Sequence, residues 1–199
     1  MEPVFNERKT RAWLEPLSRR ARAAFVLACV ERMRPSLGAF LRERGEDLSA
    51  PIDEIVDAAW SLIDGSEPEP DLDDLGERFR QLPQVDAHNE SIHAGPATNA
   101  SCAIALLLDT LGSGSLDKAI EAAAVAADSA ESYALTDLGL PADAENLEAR
   151  VAAHPLVQRE LKFQRDDIRQ LRQTSLDRSE SVAALRREWR ARSRWKLSQ

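Results

Sequence analysis

Apolar positions along this chain recur at helical spacing, and proline or glycine interrupts them at intervals. Leu17, Ala21, Ala24, Phe25 and residues 27–30 make one broad stripe, behind a short segment that holds Trp13 and Leu14. Pro16 suits the first turn of that helix, where its missing N–H has no intrahelical partner to lose. Pro35 is expected to bend the chain, with Leu37, Phe40 and Leu41 facing inward on a second helix that ends near Gly45. Pro51 opens a further helix on which Ile52, Ile55, Val56, Ala59, Trp60 and Ile63 share a face, and Gly65 is placed to stop it. Residues 66–74 read as an acidic, proline-bearing loop, followed by a short helix with Leu75, Phe79 and Leu82 that ends at Pro83. Residues 84–96 are polar and irregular. A long apolar helix over about 97–111, a tight Gly-Ser turn with Ser115 as N-cap, and an alanine-rich helix over about 116–132 are expected to form an antiparallel hairpin. Its alanines allow close backbone approach. A short helix begins at Pro141 and ends by His154-Pro155, and a long one follows over about 156–173 with Val157, Leu161, Ile168 and Leu171 inward. The last segment starts near Asp177, with Val182, Leu185 and Trp189 on one face of a strongly basic helix.

Strand signals are nearly absent, and alanine, leucine, arginine and glutamate, all good helix formers, dominate. Helix and linker lengths vary too much for a repeat of fixed period. The expected fold is all-α: an irregular bundle of seven or eight helices around the central antiparallel hairpin. Residues 1–174 would form the bundle domain, and residues 175–199 a basic C-terminal helix packed on it or on a neighbouring subunit.

Charge changes this picture. Residues 1–44 carry a net +5, residues 45–150 a net −19 and residues 151–199 a net +6, giving −8 over 199 residues. The acidic balance argues against general nucleic-acid binding, because a phosphate backbone demands a cationic face. Only the two ends of the chain offer one. No window approaches the roughly 18 apolar residues of a membrane span, and the N-terminus lacks a signal-peptide pattern. Cys29 and Cys102 each sit in an apolar helical run and read as two buried thiols in a reducing compartment, with nothing calling for a disulfide. The expected compartment is the cytoplasm.

The nearest approach to a reactive cluster is Asp86, His88, Glu90 and His93. Imidazole and carboxylate oxygen are transition-metal ligands. On a helix, however, His88 and Glu90 point to nearly opposite sides, and the histidine spacing of a zinc-protease helix is missing. The plainer reading is a polar linker. Neither a nucleophile elbow nor a phosphate loop is present. The acidic residues 46–77 do not match a calcium loop, since no glycine sits at the centre of the Asp71-Leu-Asp-Asp run. No cofactor is implied. The basic tail interleaves Arg186, Arg187, Arg190, Arg192, Arg194 and Lys196 with Trp189 and Trp195. That is the composition of a nucleic-acid arm, and equally of a helix that docks on an acidic neighbour with tryptophan anchors. The candidate partner-binding residues are therefore Arg186, Arg187, Trp189, Arg190 and Trp195.

Four segments, in order, carry a resemblance. They are Cys29-Val-Glu31-Arg32-Met-Arg-Pro35 with Phe40; Ile55-Val-Asp57-Ala-Ala-Trp60; Gly95-Pro-Ala97 with Ala100-Ser-Cys102-Ala103; and His154-Pro-Leu-Val157-Gln-Arg-Glu160. Together, over roughly residues 12–172, they resemble the YjaG-like bacterial proteins, a family of unknown function. The resemblance implies an all-helical fold and transfers no catalytic residue. His154 stands where that pattern has asparagine, and the basic segment after about Ser175 is the part the resemblance covers least. Glu31 and Arg32 read as a scaffold pair that satisfies free backbone groups at the Pro35 bend.

The first functional expectation is a non-enzymatic cytoplasmic interaction module that binds a protein partner or itself, its charge sorting steering encounter and orientation. One alternative is a neutralising protein of the toxin-immunity type that sets its acidic middle against a basic target. The other is a metal-dependent enzyme using residues 86–93. Nucleic acid enters only through the C-terminal helix, and no membrane role is expected.

Overall fold

The structure, a computed structural model, describes residues 4–46, 49–65, 70–82, 85, 91–141 and 143–192. Among these residues there are nine α-helices and no strand: α1 (Glu7–Leu14), α2 (Arg19–Glu43), α3 (Ser49–Asp64), α4 (Leu72–Arg80), α5 (Ala94–Ser113), α6 (Leu116–Leu138), α7 (Leu147–Ala153), α8 (Pro155–Gln173) and α9 (Ser179–Arg192). The class is all-α, with more helices than the expected seven or eight. Among the described residues no helix is long and apolar enough to cross a membrane.

α2 is the axis of the fold. It is buried on nearly every side, from Ala21 through Leu41, as a helix enclosed by others must be. The expected division at Pro35 does not occur, and α2 runs through it for 25 residues. Pro35 removes one backbone bond, while Met33, Ser36, Leu37 and Phe40 hold the flanking turns in the core. Pro16 does not open the helix either. Ser18 caps it, its Oγ accepting from the Ala21 N–H at 3.2 Å, so Pro16 lies in the preceding turn.

α5 and α6 form the hairpin and pack on α2. Their two-residue link needs a glycine. Gly114 has φ +67°, and a Cβ there would come within 2.6 Å of the Arg19 side chain, whose Nε donates to the Ser113 carbonyl at 3.0 Å. Ser115 then caps α6 by accepting from Lys118 N–H. Seven of the ten buried residues of α6 are alanines: Ala119, Ala122, Ala123, Ala126, Ala127, Ala130 and Ala134. Small side chains let α1, α2, α5 and α8 all approach this one helix. Burial separates the two cysteines. Cys29 lies in the core, but Cys102 is exposed, because Ala97, Ala100, Ala103, Ile104 and Leu107 define the inner face of α5 and Cys102 falls opposite. Both thiols are free.

Candidate functional site

α8 carries a continuous buried stripe of Val157, Glu160, Leu161, Gln164, Asp167, Ile168 and Leu171. Three of those seven side chains are polar, and they face a polar pair in the middle of the α2 core run, Glu31 and Arg32. Arg32 is 1 % exposed. Its Nε donates to Glu160 Oε2 at 2.8 Å, its Nη2 to Glu160 Oε1 at 2.9 Å and its Nη1 to Asp167 Oδ2 at 2.5 Å. This bidentate fork on Glu160, with Asp167 on the remaining nitrogen, uses the geometry that only a guanidinium provides. Gln164 completes the Glu160 shell, with Nε2 donating to Glu160 Oε1 at 3.0 Å and to the Ala123 carbonyl at 2.9 Å. The side chains of Arg32 and Arg192 both sit against the Phe163 ring, at 5.9 and 5.3 Å from its centroid, within cation–π range.

Neutrality decides what α9 does. Glu31, Glu160 and Asp167 have side chains 0 %, 1 % and 0 % exposed, while Arg32 is the one cation buried with them among the described residues. Uncompensated buried charge is very costly. α9 supplies the missing positive charge. Arg192 Nη1 donates to Asp167 Oδ1 at 2.7 Å, and Arg190 Nε donates to Glu31 Oε1 at 2.8 Å. Glu31 Oε1 also accepts from Trp60 Nε1 at 2.8 Å. Its Oε2 makes no hydrogen bond and lies 3.4 Å from Arg34 Nη2. Asp57 pairs with Arg190 and with Arg186, the latter at 2.6 Å.

Burial pushes the Asp167 carboxyl above its ordinary value, and Arg32 and Arg192 pull it back. Burial also works against the Arg32 charge, but Glu160 and Asp167 outweigh it and hold the guanidinium well above its usual value. The Cys29 thiol, 3.5 Å from Arg32 Nη2, is pushed up by burial. It is therefore a neutral neighbour rather than a nucleophile.

α9 is anchored by apolar contact as well. Val182, Leu185 and Trp189 are 3 %, 1 % and 0 % exposed and face α2 and α3. The rings of Trp189 and Trp60 meet at 5.6 Å with a 40° tilt, and Trp189 Nε1 donates to Gln170 Oε1 at 3.3 Å. The sequence candidates thus part company. Arg186, Trp189 and Arg190 belong to this docked face, Arg187 is exposed, and Trp195 lies outside the described residues. Glu31 and Arg32 do not serve backbone groups at a bend; their side chains build the network. Asp86, His88 and Glu90 also lie outside the described residues. His93 precedes α5, with Nδ1 2.8 Å from the Tyr133 hydroxyl and Nε2 3.6 Å from Glu43. Among the described residues no group of three or more histidine, cysteine or acidic side chains is placed to hold a metal ion.

Residues 9–194 match the family described as "Protein of unknown function (DUF416)". The chain belongs to that family. The matched region includes α9, the segment that the sequence resemblance covers least. A crystal structure of a DUF416 family protein from Shewanella baltica OS155 is similar to this chain, with a TM-score of 0.77 and 20 % identity, over 90 % of this chain and 92 % of that one. Identity at that level speaks for a shared fold. No curated protein matches the chain.

Proposed function

We propose that this protein is a non-enzymatic cytoplasmic interaction module that binds a basic protein partner through the acidic face carried by α6 and the segment leading to α7. One contrast supports the reading. Arg186, Arg190 and Arg192 are held by Asp57, Glu31 and Asp167, whereas Asp128, Glu131, Asp143, Glu145 and Glu148 have no ion-pair partner among the described residues. No lysine or arginine occurs between Lys118 and Arg150. Leu135, 43 % exposed, adds an apolar contact on the same turn-by-turn face of α6 as Asp128 and Glu131. An acidic surface of this kind accelerates and orients encounter with a cationic partner.

The test is charge reversal. Immobilised protein and a variant carrying Asp128→Lys, Glu131→Lys, Glu145→Lys and Glu148→Lys are offered the soluble proteins of the source cell at about 50 mM salt and eluted at about 500 mM, where screening is strong. A basic protein retained by the first, released by salt and absent from the second supports the proposal. Equal retention on both, or retention on neither, rejects it.

A further inference from the structure

α1 and α8 both rest on α6 and make little direct contact with each other. They are tied at one end, where Arg172 Nη2 donates to the Trp13 carbonyl at 2.7 Å. The wedge left between them is a pocket of about 350 Å³, in the range of small-ligand sites. Phe5, Trp13, Leu161 and Ile168 form its apolar walls.

Its polar groups point to a ligand. Thr10 lines the pocket, and although the residue is only 5 % exposed its hydroxyl is not shut away from solvent, so it can bond to a molecule in the pocket. Lys9 and Arg165 also line the pocket, and neither has an ion-pair partner among the described residues. No acidic side chain is found in the lining. In a chain of net charge −8, two unpaired cations and an accessible hydroxyl around two aromatic rings make a site for an anion with a flat apolar body.

We propose that this pocket binds a small aromatic carboxylate. Its ring lies against Trp13 and Phe5, its carboxylate accepts charge-assisted hydrogen bonds at the Lys9 and Arg165 rim, and the Thr10 hydroxyl donates to it.

Isothermal titration of the full chain with 1-naphthoate tests the proposal, with 1-naphthalenemethanol as the uncharged counterpart. The expected result is a single site that saturates below about 5 mM and an alcohol that binds about tenfold more weakly or worse. Lys9→Gln with Arg165→Gln should weaken naphthoate about tenfold or more and leave the melting temperature unchanged, since neither side chain holds a partner. Either single substitution serves if the double variant does not fold. Thr10→Val, which keeps the shape and removes the hydroxyl, should weaken binding several-fold. Absence of saturable binding, equal affinity for the alcohol, or undiminished affinity in the Lys9 and Arg165 variants overturns it.

Discussion

Two parts of this molecule concentrate charge of opposite sign and dispose of it differently. On α9, Arg186, Arg190 and Arg192 reach inward to Asp57, Glu31 and Asp167, and Trp189 between them is fully buried. On α6, Asp128 and Glu131 face outward without a cation. A basic tail on an acidic protein therefore need not be a surface at all. Its charge is required by carboxylates that the rest of the bundle has buried, and the surface charge that remains is more acidic than the C-terminal composition suggests. The comparison also separates two energetic regimes. Desolvated pairs are expensive to break, whereas exposed charges change stability little and association more.

The largest effect should follow from breaking the inner network. Arg32→Met removes every guanidinium bond to Glu160 and one to Asp167, which leaves the buried Glu160 without a cation and Asp167 with Arg192 alone, and should cost about 3–5 kcal/mol in urea unfolding. Replacing Arg32, Glu160 and Asp167 together by leucine or methionine should restore most of that loss, because apolar residues of similar volume commonly substitute for a buried ion set. A triple variant as unstable as Arg32→Met would mean that the network is needed for more than neutrality.

A smaller effect distinguishes two neighbours on α9. Arg190→Leu strips Glu31 of its closest cation and should cost about 1–3 kcal/mol. Arg187→Ala, at an exposed position, should stay within about 0.5 kcal/mol. Equal losses at both positions would undo the claim that α9 acts through specific pairs rather than through its overall charge.

Much of this was legible in the chain. The stripe of Val182, Leu185 and Trp189, the cap at Ser115 and the α8 stripe all follow from spacing. Three of the four sequence segments also supply network residues: Glu31 and Arg32, Asp57 and Trp60, and Glu160. What spacing could not give was their convergence, because Arg32 meets Asp167 across 135 positions. Asp167 went unnoticed although a signal existed. It sits three residues after Gln164 and seven after Glu160, so a polar set occupies the very face that Leu161, Ile168 and Leu171 mark as core. Polar residues on a core stripe are the residues to question first. Pro35 misled for a physical reason: proline removes one backbone bond, and a helix enclosed on all sides is held by packing that local propensity does not register.

The smallest effect belongs to the outward face. Burial raises the Asp128 carboxyl above its ordinary value near 3.8, and burial with the Asp128 charge raises Glu131 above its value near 4.5. An acid whose folded pKa is raised binds its proton more tightly in the native state than in the unfolded chain. Its contribution is therefore fully present below the unfolded value and is lost as pH rises through the folded one. Asp128→Asn with Glu131→Gln abolishes that loss, so the variant should gain on the parent as pH rises above about 4–5. Asp128 is exposed and Glu131 half-buried, so solvent screening limits the gain at neutral pH to about 0.5 kcal/mol or less. Urea midpoints of both proteins across the acid-to-neutral range measure it. A basic partner seated over the two carboxylates would stabilise their charged forms, so binding near the folded values should release protons into the buffer. Parallel pH profiles for parent and variant would show that the outward acids carry no unrelieved cost, and the contrast with α9 would then rest on geometry alone.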